Sequence, residues 1–249
     1  MTEPTAAGTL YVVGTPVGNL EDMSLRALRI LREVDLIACE DTRVARRMLV
    51  RHGIATATTS YFEHNKHAKG RHLLGLLERG GQVALVTDAG TPGISDPGAD
   101  LVRLAREAGI RVVPIPGPSA VATLLSACGL PADRFVFAGF LPVKSGRRQT
   151  RLRELQALDW PIVLYESCHR IRRTLDDLKT AWGDRHVVVG RELTKLYEEI
   201  FGGRISEVRD RPSIVNARGE FVVVVAPRGR ETAPAAEAVA VGSEDDDEE

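Results

Sequence analysis

Long apolar runs are missing from this chain: no stretch of its 249 residues approaches the ~20 that a bilayer-spanning helix needs, so no membrane partner is expected. The opening "MTEPTAAGTL" has no basic segment followed by an apolar core, so no secretion signal is expected there. The three cysteines, Cys39, Cys128 and Cys168, are odd in number and far apart, which fits neither a disulfide framework nor paired zinc knuckles. A reducing cytoplasm is the expected setting. Aromatic residues make up only 5%, which predicts that contact with nucleic acid runs through the backbone more than through base stacking. Net charge is also small, at −1, but it is unevenly spread. Six of the last seven residues, "SEDDDEE", are acids, which leaves +5 for residues 1–242. The expected picture is a mildly basic body and a solvated, disordered acidic tail over 230–249.

What the chain does have is enough apolar material, 43%, to bury a sizeable core. After a short tail at 1–8, "TLYVVG", "DLIACE", "QVALVTD" and "RVVPIPG" read as strands. Helical runs separate them: "SLRALRILREV", "TRVARRMLVRHG", "RHLLGLLERGG" and "GADLVRLAREAG". In the first, Leu25, Leu28, Leu31 and Val34 share one face behind Ser24 as N-cap, and Gly53 closes the second. This alternation predicts an α/β fold with a mostly parallel sheet over residues 9–141. At "FLPVKSGRRQTRLREL", Pro142 stops the apolar run, and Lys144, Arg147, Arg148, Arg151 and Arg153 follow closely. A basic linker at 142–149 is expected there. Beyond it, "WPIVLYES", "RHVVVGREL", "YEEIFGG" and "GEFVVVVAP" outnumber the single long helix "RIRRTLDDLKTAW", predicting a smaller, mixed α/β domain over 150–229.

Three loops dense in glycine and proline follow the strands: "GTPVGN" (14–19), "DAGTPGISDPG" (88–98) and "PIPGPSA" (114–120). Loops at the carboxyl ends of parallel strands converge on one edge, where such sheets bind ligands. Glycine lets a ligand approach the main chain, and proline holds a loop open. Each loop alone reads equally well as an ordinary turn, but three on one edge point to a ligand site. None has the G-x-x-x-x-G-K-[ST] pattern of a P-loop or the G-x-G-x-x-G of a dinucleotide site. Asp88, at the strand end, would repel phosphate and suits a cation or a hydroxyl-bearing ligand.

Together "GTPVGNLEDMS", "ACEDTR", "VTDAGTPGISDPG", "PIPGPSA" and "GRELTKLYEE" resemble the bacterial 16S rRNA (cytidine-2′-O)-methyltransferases of the tetrapyrrole-methylase superfamily, from about Leu10 to Pro227. The resemblance implies a two-domain tetrapyrrole-methylase-like fold with S-adenosylmethionine folded into the cleft between the domains. It also implies a cytoplasmic homodimer that methylates a cytidine ribose in the decoding region of 16S rRNA. That cofactor is a sulfonium cation without phosphate, in agreement with an acid among glycines. By similarity, Pro16, Val17 and Gly18 border the cleft, while Asp88 and the main chain of Ala89, Gly90 and Thr91 hold the amino-acid or ribose part. Ser119 and Ala120 would lie near the adenine, and Tyr165, Glu166 and Ser167 would close the pocket from the second domain. Tyr165 reads equally as a core tyrosine. After "VVVVAPRG" the chain departs from the family pattern: the resemblance implies a further small helical segment in many relatives, where this sequence has an alanine-rich, acidic stretch.

Methyl transfer from a sulfonium is an in-line displacement, and orientation alone can supply ~7–11 kcal/mol of its barrier. A ribose hydroxyl is a poor acid, so a positioned base or cation adds ~10²–10⁴-fold. Three polar clusters offer such groups. "CEDTR" has Asp41 to accept a proton and Arg43 to meet a phosphate, "YFEHNKH" has Glu63, His64 and Lys66, and "RELTK" has Arg191, Glu192 and Lys195. Each also reads as an ion pair or helix cap. Lys195 with Glu192 is the favoured pair for polarising the hydroxyl. His64, His67 and His72 are interleaved with Lys66, Lys69 and Arg71, which oppose a divalent cation, so no metal is expected. Arg43, Arg46, Arg47, Lys66, Lys144, Arg147 and Arg148 read as phosphate contacts for the rRNA of the small subunit, or else as solvated helix faces. Two other functions remain open on the same loops: methylation of a tetrapyrrole or other small acceptor, and a non-catalytic RNA-binding role in ribosome assembly.

Overall fold

The alternating strands and helices of the first half build one sheet, as their spacing predicts. The structure, a computed structural model, describes residues 7–229, and the chain divides after Ala120 into two units. The first unit runs β1 (Thr9–Val13), α1 (Leu25–Glu33), β2 (Leu36–Cys39), α2 (Thr42–Arg51), β3 (Thr58–Ser60), α3 (Lys66–Glu78), β4 (Gln82–Leu85), α4 (Ala99–Glu107) and β5 (Arg111–Ile115). Its five strands are all parallel, in the order β3-β2-β4-β1-β5. Helices α1 and α2 pack with Val13, Ile37 and Ala84 on one face, and α3 and α4 with Leu10, Ala38, Val83 and Leu85 on the other. Both faces of β4 are therefore buried, which is why it reads as a continuous apolar run rather than an alternation. Each fully buried leucine, such as Leu31 or Leu73, contributes about 1.5–3 kcal/mol. Ser24 caps α1, its Oγ accepting the Ala27 N–H at 3.1 Å, and Gly53 follows α2 with φ +63°.

Strand order locates the functional edge. From β1 the chain crosses to β2 and from its neighbour β4 it crosses to β5, in opposite directions. Loops that diverge in this way leave a crevice at the strands' carboxyl ends.

The second unit contains α5 (Ala120–Ala127), which begins at the division, then β6 (Val136–Phe140), α6 (Ser145–Gln156), β7 (Ile162–Ser167), α7 (Ile171–Trp182), β8 (His186–Arg191), β9 (Glu199–Arg204), α8 (Ile205–Arg209), α9 (Pro212–Val215) and β10 (Glu220–Val225). Its sheet is mixed, in the order β6-β7-β10-β8-β9, with only β6 and β7 parallel. Helices α6 to α9 bury Leu152, Leu175, Trp182, Val208 and Ile214 against alternate residues of the strands, among them Ile162, Leu164, Val187, Val189, Phe221 and Val223.

The division lies before β6, whereas the sequence reading set it after, at Pro142. β6 pairs with β7, so the break at Pro142 marks a change of element inside the second unit. Residues 142–149, expected as a linker, lead into α6 and are pinned: Arg148 donates to the carbonyls of Pro142 (3.1 Å) and Val143 (2.8 Å), and Arg170 to that of Leu141 (2.6 Å). Residues 1–6 of the expected tail and all of the expected acidic tail at 230–249 lie outside the described residues. Among the described residues no helix is long and apolar enough to cross a membrane.

Candidate active site

Three glycine loops meet at the carboxyl edge of the first sheet, joined through their main chains. Thr15 N–H donates to Gly90 O at 2.8 Å, and Gly90 N–H returns the bond to Thr15 O at 3.1 Å. The Thr15 hydroxyl lies 3.1 Å from the Thr87 carbonyl, and the Thr91 hydroxyl donates to Pro118 O at 3.3 Å. Gly14 and Gly117 stand back to back: a Cβ on Gly14 would sit 2.8 Å from the Gly117 Cα, closer than real Cβ contacts allow. Gly90 has φ +80°, a conformation that costs a side chain strain. This stitching brings Pro16, Val17, Gly18, Asp88, Ala89, Gly90, Thr91 and Ser119 to one edge, with Ala120 opening α5. Pro16 and Gly90 are buried, while Gly18, Asp88 and Ala89 face solvent. The sequence reading passed over Thr15, Thr87 and Gly117. Thr87 is buried just beyond β4, and its hydroxyl finds no partner among the described residues.

Acids surround the same edge. The Asp41 N–H donates to Asp88 Oδ1 at 3.1 Å. Although the residue is exposed, partial desolvation of its carboxyl raises Asp88 above its ordinary range; the Asp41 N–H opposes that shift and the Asp41 charge adds to it. Burial, Asp88, Asp96 and Asp41, in that order, raise Glu40, and burial with Asp88 and Asp41 lifts the Cys39 thiol to about 11. Carboxylates that disfavour one another's ionisation are relieved by a cation. Asp41 itself differs from its neighbours. It caps α2, accepting the Arg43 N–H at 2.8 Å, and its other oxygen lies 2.6 Å from the Arg43 guanidinium. Those Arg43 bonds lower it to about 2, too weak a base to suit proton abstraction near neutral pH.

In the second unit, the turn between β8 and β9 holds the pair singled out from the sequence. Lys195 Nζ lies 2.9 Å from Glu192 Oε1 and 3.0 Å from Glu220 Oε2. Glu192 Oε1 also accepts the Glu220 N–H at 3.0 Å, and the Glu192 N–H donates to Glu220 O at 3.0 Å. Burial alone would raise Glu192, but Lys195 and the Glu220 N–H outweigh it and hold the carboxyl low. Burial alone would lower Lys195, but Glu192 and Glu220 outweigh it and raise the ammonium's pKa. At neutral pH the pair is therefore an ammonium beside a carboxylate. Gly219 makes room for it, since a Cβ there would lie 2.3 Å from the Glu192 carboxyl carbon. Neither Gly219 nor Glu220 was apparent from the sequence, because β10 meets this turn only through the sheet.

The structure separates other residues that the sequence grouped. Along β7, Tyr165 turns its ring to Phe137 and Phe140 (centroids 5.0 and 5.6 Å), and Glu166 points to the opposite face. There the Glu166 side chain is fully buried, accepting the Thr174 hydroxyl (2.6 Å) and the Ser167 N–H (3.0 Å), with Arg170 at 3.3 Å. Strand periodicity of two leaves Glu166 only its main chain to offer on the Tyr165 and Ser167 face. Of the residues read as phosphate contacts, Arg43, Arg46 and Arg47 are exposed on α2, and Lys144 and Arg147 at the start of α6. Lys66 is held between Asp100 (2.8 Å) and Glu63 (2.7 Å), which raise its pKa. Arg148 requires a correction: at 2% exposure, with Asp177 at 2.6 Å, it is an interior ion pair that no phosphate reaches.

Residues 9–209 match the family model of the tetrapyrrole (corrin/porphyrin) methylases. Uroporphyrin-III-C-methyltransferase from Thermus thermophilus has a similar fold, with a TM-score of 0.61 at 21% identity over 88% of this chain and 94% of that one. This chain belongs to the tetrapyrrole methylase family. It is 50% identical over 220 residues to the ribosomal RNA small subunit methyltransferase I of Mesorhizobium japonicum, covering 88% of this chain and 75% of that protein. Its counterpart in Escherichia coli O157:H7 is 47% identical over 221 residues, covering 88% and 77%.

Proposed function

We propose that this protein transfers a methyl group from S-adenosylmethionine to the 16S rRNA of the small ribosomal subunit, at the 2′-hydroxyl of a cytidine in the decoding region. The observation that carries this reading is the near-50% identity with small-subunit rRNA methyltransferases over 88% of the chain, a span that takes in both sheets. The residue of the reading that concerns the particular ribose, the cytoplasmic setting and a homodimer rests on the resemblance of the motifs.

The first unit's edge fits such a donor. Its three loops contain no lysine or arginine, Gly90 and Gly93 leave space where a side chain would stand, and its carboxylates favour a cation. Bound there, S-adenosylmethionine supplies an electrophilic methyl group on a positively charged sulfur. Asp88 and Glu40 would balance that charge, Ala89 and Thr91 would offer main-chain groups beside the Gly90 turn, and the Thr87 hydroxyl, which has no partner among the described residues, would gain a hydrogen bond. In the second unit, Lys195, held by Glu192, polarises the acceptor hydroxyl and stabilises the charge that develops on its oxygen. The exposed Arg43, Arg46 and Arg47 of α2, with Lys144 and Arg147 of α6, meet phosphates.

The test is transfer of a tritiated methyl group to small subunits, naked 16S rRNA and a porphyrinogen, run in parallel. Label in rRNA at one linkage that resists alkaline cleavage is the expected result, because a 2′-O-methyl blocks that cleavage. Label on a base, or on the porphyrinogen alone, would refute the reading.

A further inference from the structure

The turn that presents Lys195 also holds two apolar side chains out in solvent. Leu196 is 89% exposed and Tyr197 69%, adjacent to each other at the tip of the β8–β9 connection. A single exposed apolar residue needs no explanation. Here, however, the backbone beneath the pair is fixed. Glu192 and Thr194 are both left-handed, with φ +48° and +67°, a conformation non-glycine residues adopt only when their surroundings enforce it. The Lys195 N–H donates to Glu192 O at 2.9 Å, the Glu198 N–H to Lys195 O at 3.0 Å, and the Thr194 N–H to the Glu198 carboxylate. Arg191 and Glu199 pair across the base of the turn, with their side chains 3.3 Å apart. A loose loop could fold an apolar tip away from water. This one is locked in the exposed arrangement, in a protein where aromatics are scarce.

Charge narrows what the tip can take. Glu192, Glu198, Glu199 and Glu220 surround it, and the cations Arg191 and Lys195 each already face a carboxylate. That setting does not attract a phosphate. It does suit the neutral face of a nucleobase, which stacks on an aromatic ring whatever its identity. Tyr197 also stands two residues from Lys195, the group assigned to the acceptor hydroxyl. We propose that Tyr197, flanked by Leu196, is a stacking platform for one unpaired base of the RNA substrate, setting the register in which a ribose meets Lys195. The inference rests on the rRNA reading above.

The experiment compares wild type, Tyr197→Ala and Tyr197→Phe. It measures the Kd for a fluorescent single-stranded oligoribonucleotide, the KM for small subunits in methyl transfer, the Kd for S-adenosylmethionine and the sedimentation coefficient. Tyr197→Ala should weaken RNA binding and raise KM by about 5- to 150-fold, the range that loss of one stacked base corresponds to. Tyr197→Phe should stay near wild type, because the ring is kept. Donor affinity and sedimentation should not change. Equal RNA affinity in wild type and Tyr197→Ala would overturn the platform, and so would a shifted oligomeric state, which would make the tip a self-association surface. Failure of the rRNA reading has a different signature: wild type would transfer no label to rRNA in the same assay.

Discussion

The carboxyl edge of the first sheet and the β8–β9 turn of the second unit are built on opposite principles. The first is defined by what is absent: Gly14 and Gly117 touch only because neither has a Cβ, and none of the three loops contains a lysine or arginine. The second is defined by side chains: Glu192, Lys195 and Glu220 form one ionic knot, held by strained backbone and admitted by Gly219. A surface of main-chain atoms recognises shape and tolerates almost no addition. A charged knot acts on a proton and can be weakened in steps. On the proposed reading, binding and chemistry are assigned to different materials.

The contrast can be broken most severely at the knot. Lys195→Ala should slow single-turnover methylation by ~10²–10⁴-fold while the donor Kd in calorimetry stays put. Gly219→Ala should act in the same direction, because its Cβ displaces the Glu192 carboxyl. Wild-type turnover in Lys195→Ala would remove chemistry from the turn. The next effect is on stability, and it separates two neighbours in one basic run. Asp177→Ala strands the buried Arg148 and should cost about 3–5 kcal/mol in urea unfolding, whereas Arg147→Ala on the surface should stay within about 0.5 kcal/mol. Arg147→Ala should instead flatten the salt dependence of RNA binding.

Smaller effects test the glycine edge. Gly117→Ala should destabilise by about 1–3 kcal/mol through overpacking and reduce donor affinity, with the Lys195 knot untouched. Unchanged donor affinity in this variant would show that the back-to-back glycines serve the fold alone. Donor affinity should also fall as pH drops through the raised carboxyl range of Glu40 and Asp88, since a cation binds their ionised forms, and it should level off above that range. Asp88→Asn should blunt this profile in calorimetry across pH. The weakest effect belongs to the partly buried Lys195–Glu192 pair, worth about 1 kcal/mol or less to stability once solvent screening is counted. Its Glu192 part is present above the ordinary carboxyl pKa and lost as pH falls through the lowered value. Its Lys195 part is present below the ordinary lysine pKa and lost as pH rises through the raised one.

Much of this was legible from residues alone. Short apolar runs mark β1, β2, β4 and β5, so these strands were plain, and so were the loops that follow three of them. β3 was not, since Thr58, Thr59 and Ser60 form a strand only by pairing with β2. β6 was missed beside a bulge between Phe137 and Gly139. Two signals were present and not used. Arg148, Leu152 and Leu155 recur at helical spacing and share the buried face of α6, which sets Arg148 apart from Arg147 and Arg151. Period two along "IVLYES" likewise sends Glu166 away from Tyr165 and Ser167.

Local order along the chain was enough to determine the alternation of strand and helix, the family, and the glycine loops with an acid and no base among them. Those features depend on neighbours within a few residues. The ladder order of each sheet, the contact of Gly14 with Gly117, and the meeting of Glu192 with Glu220 were decided only by the folded chain. Hydrogen bonds between strands join segments far apart in sequence, and no local pattern records which segments those will be.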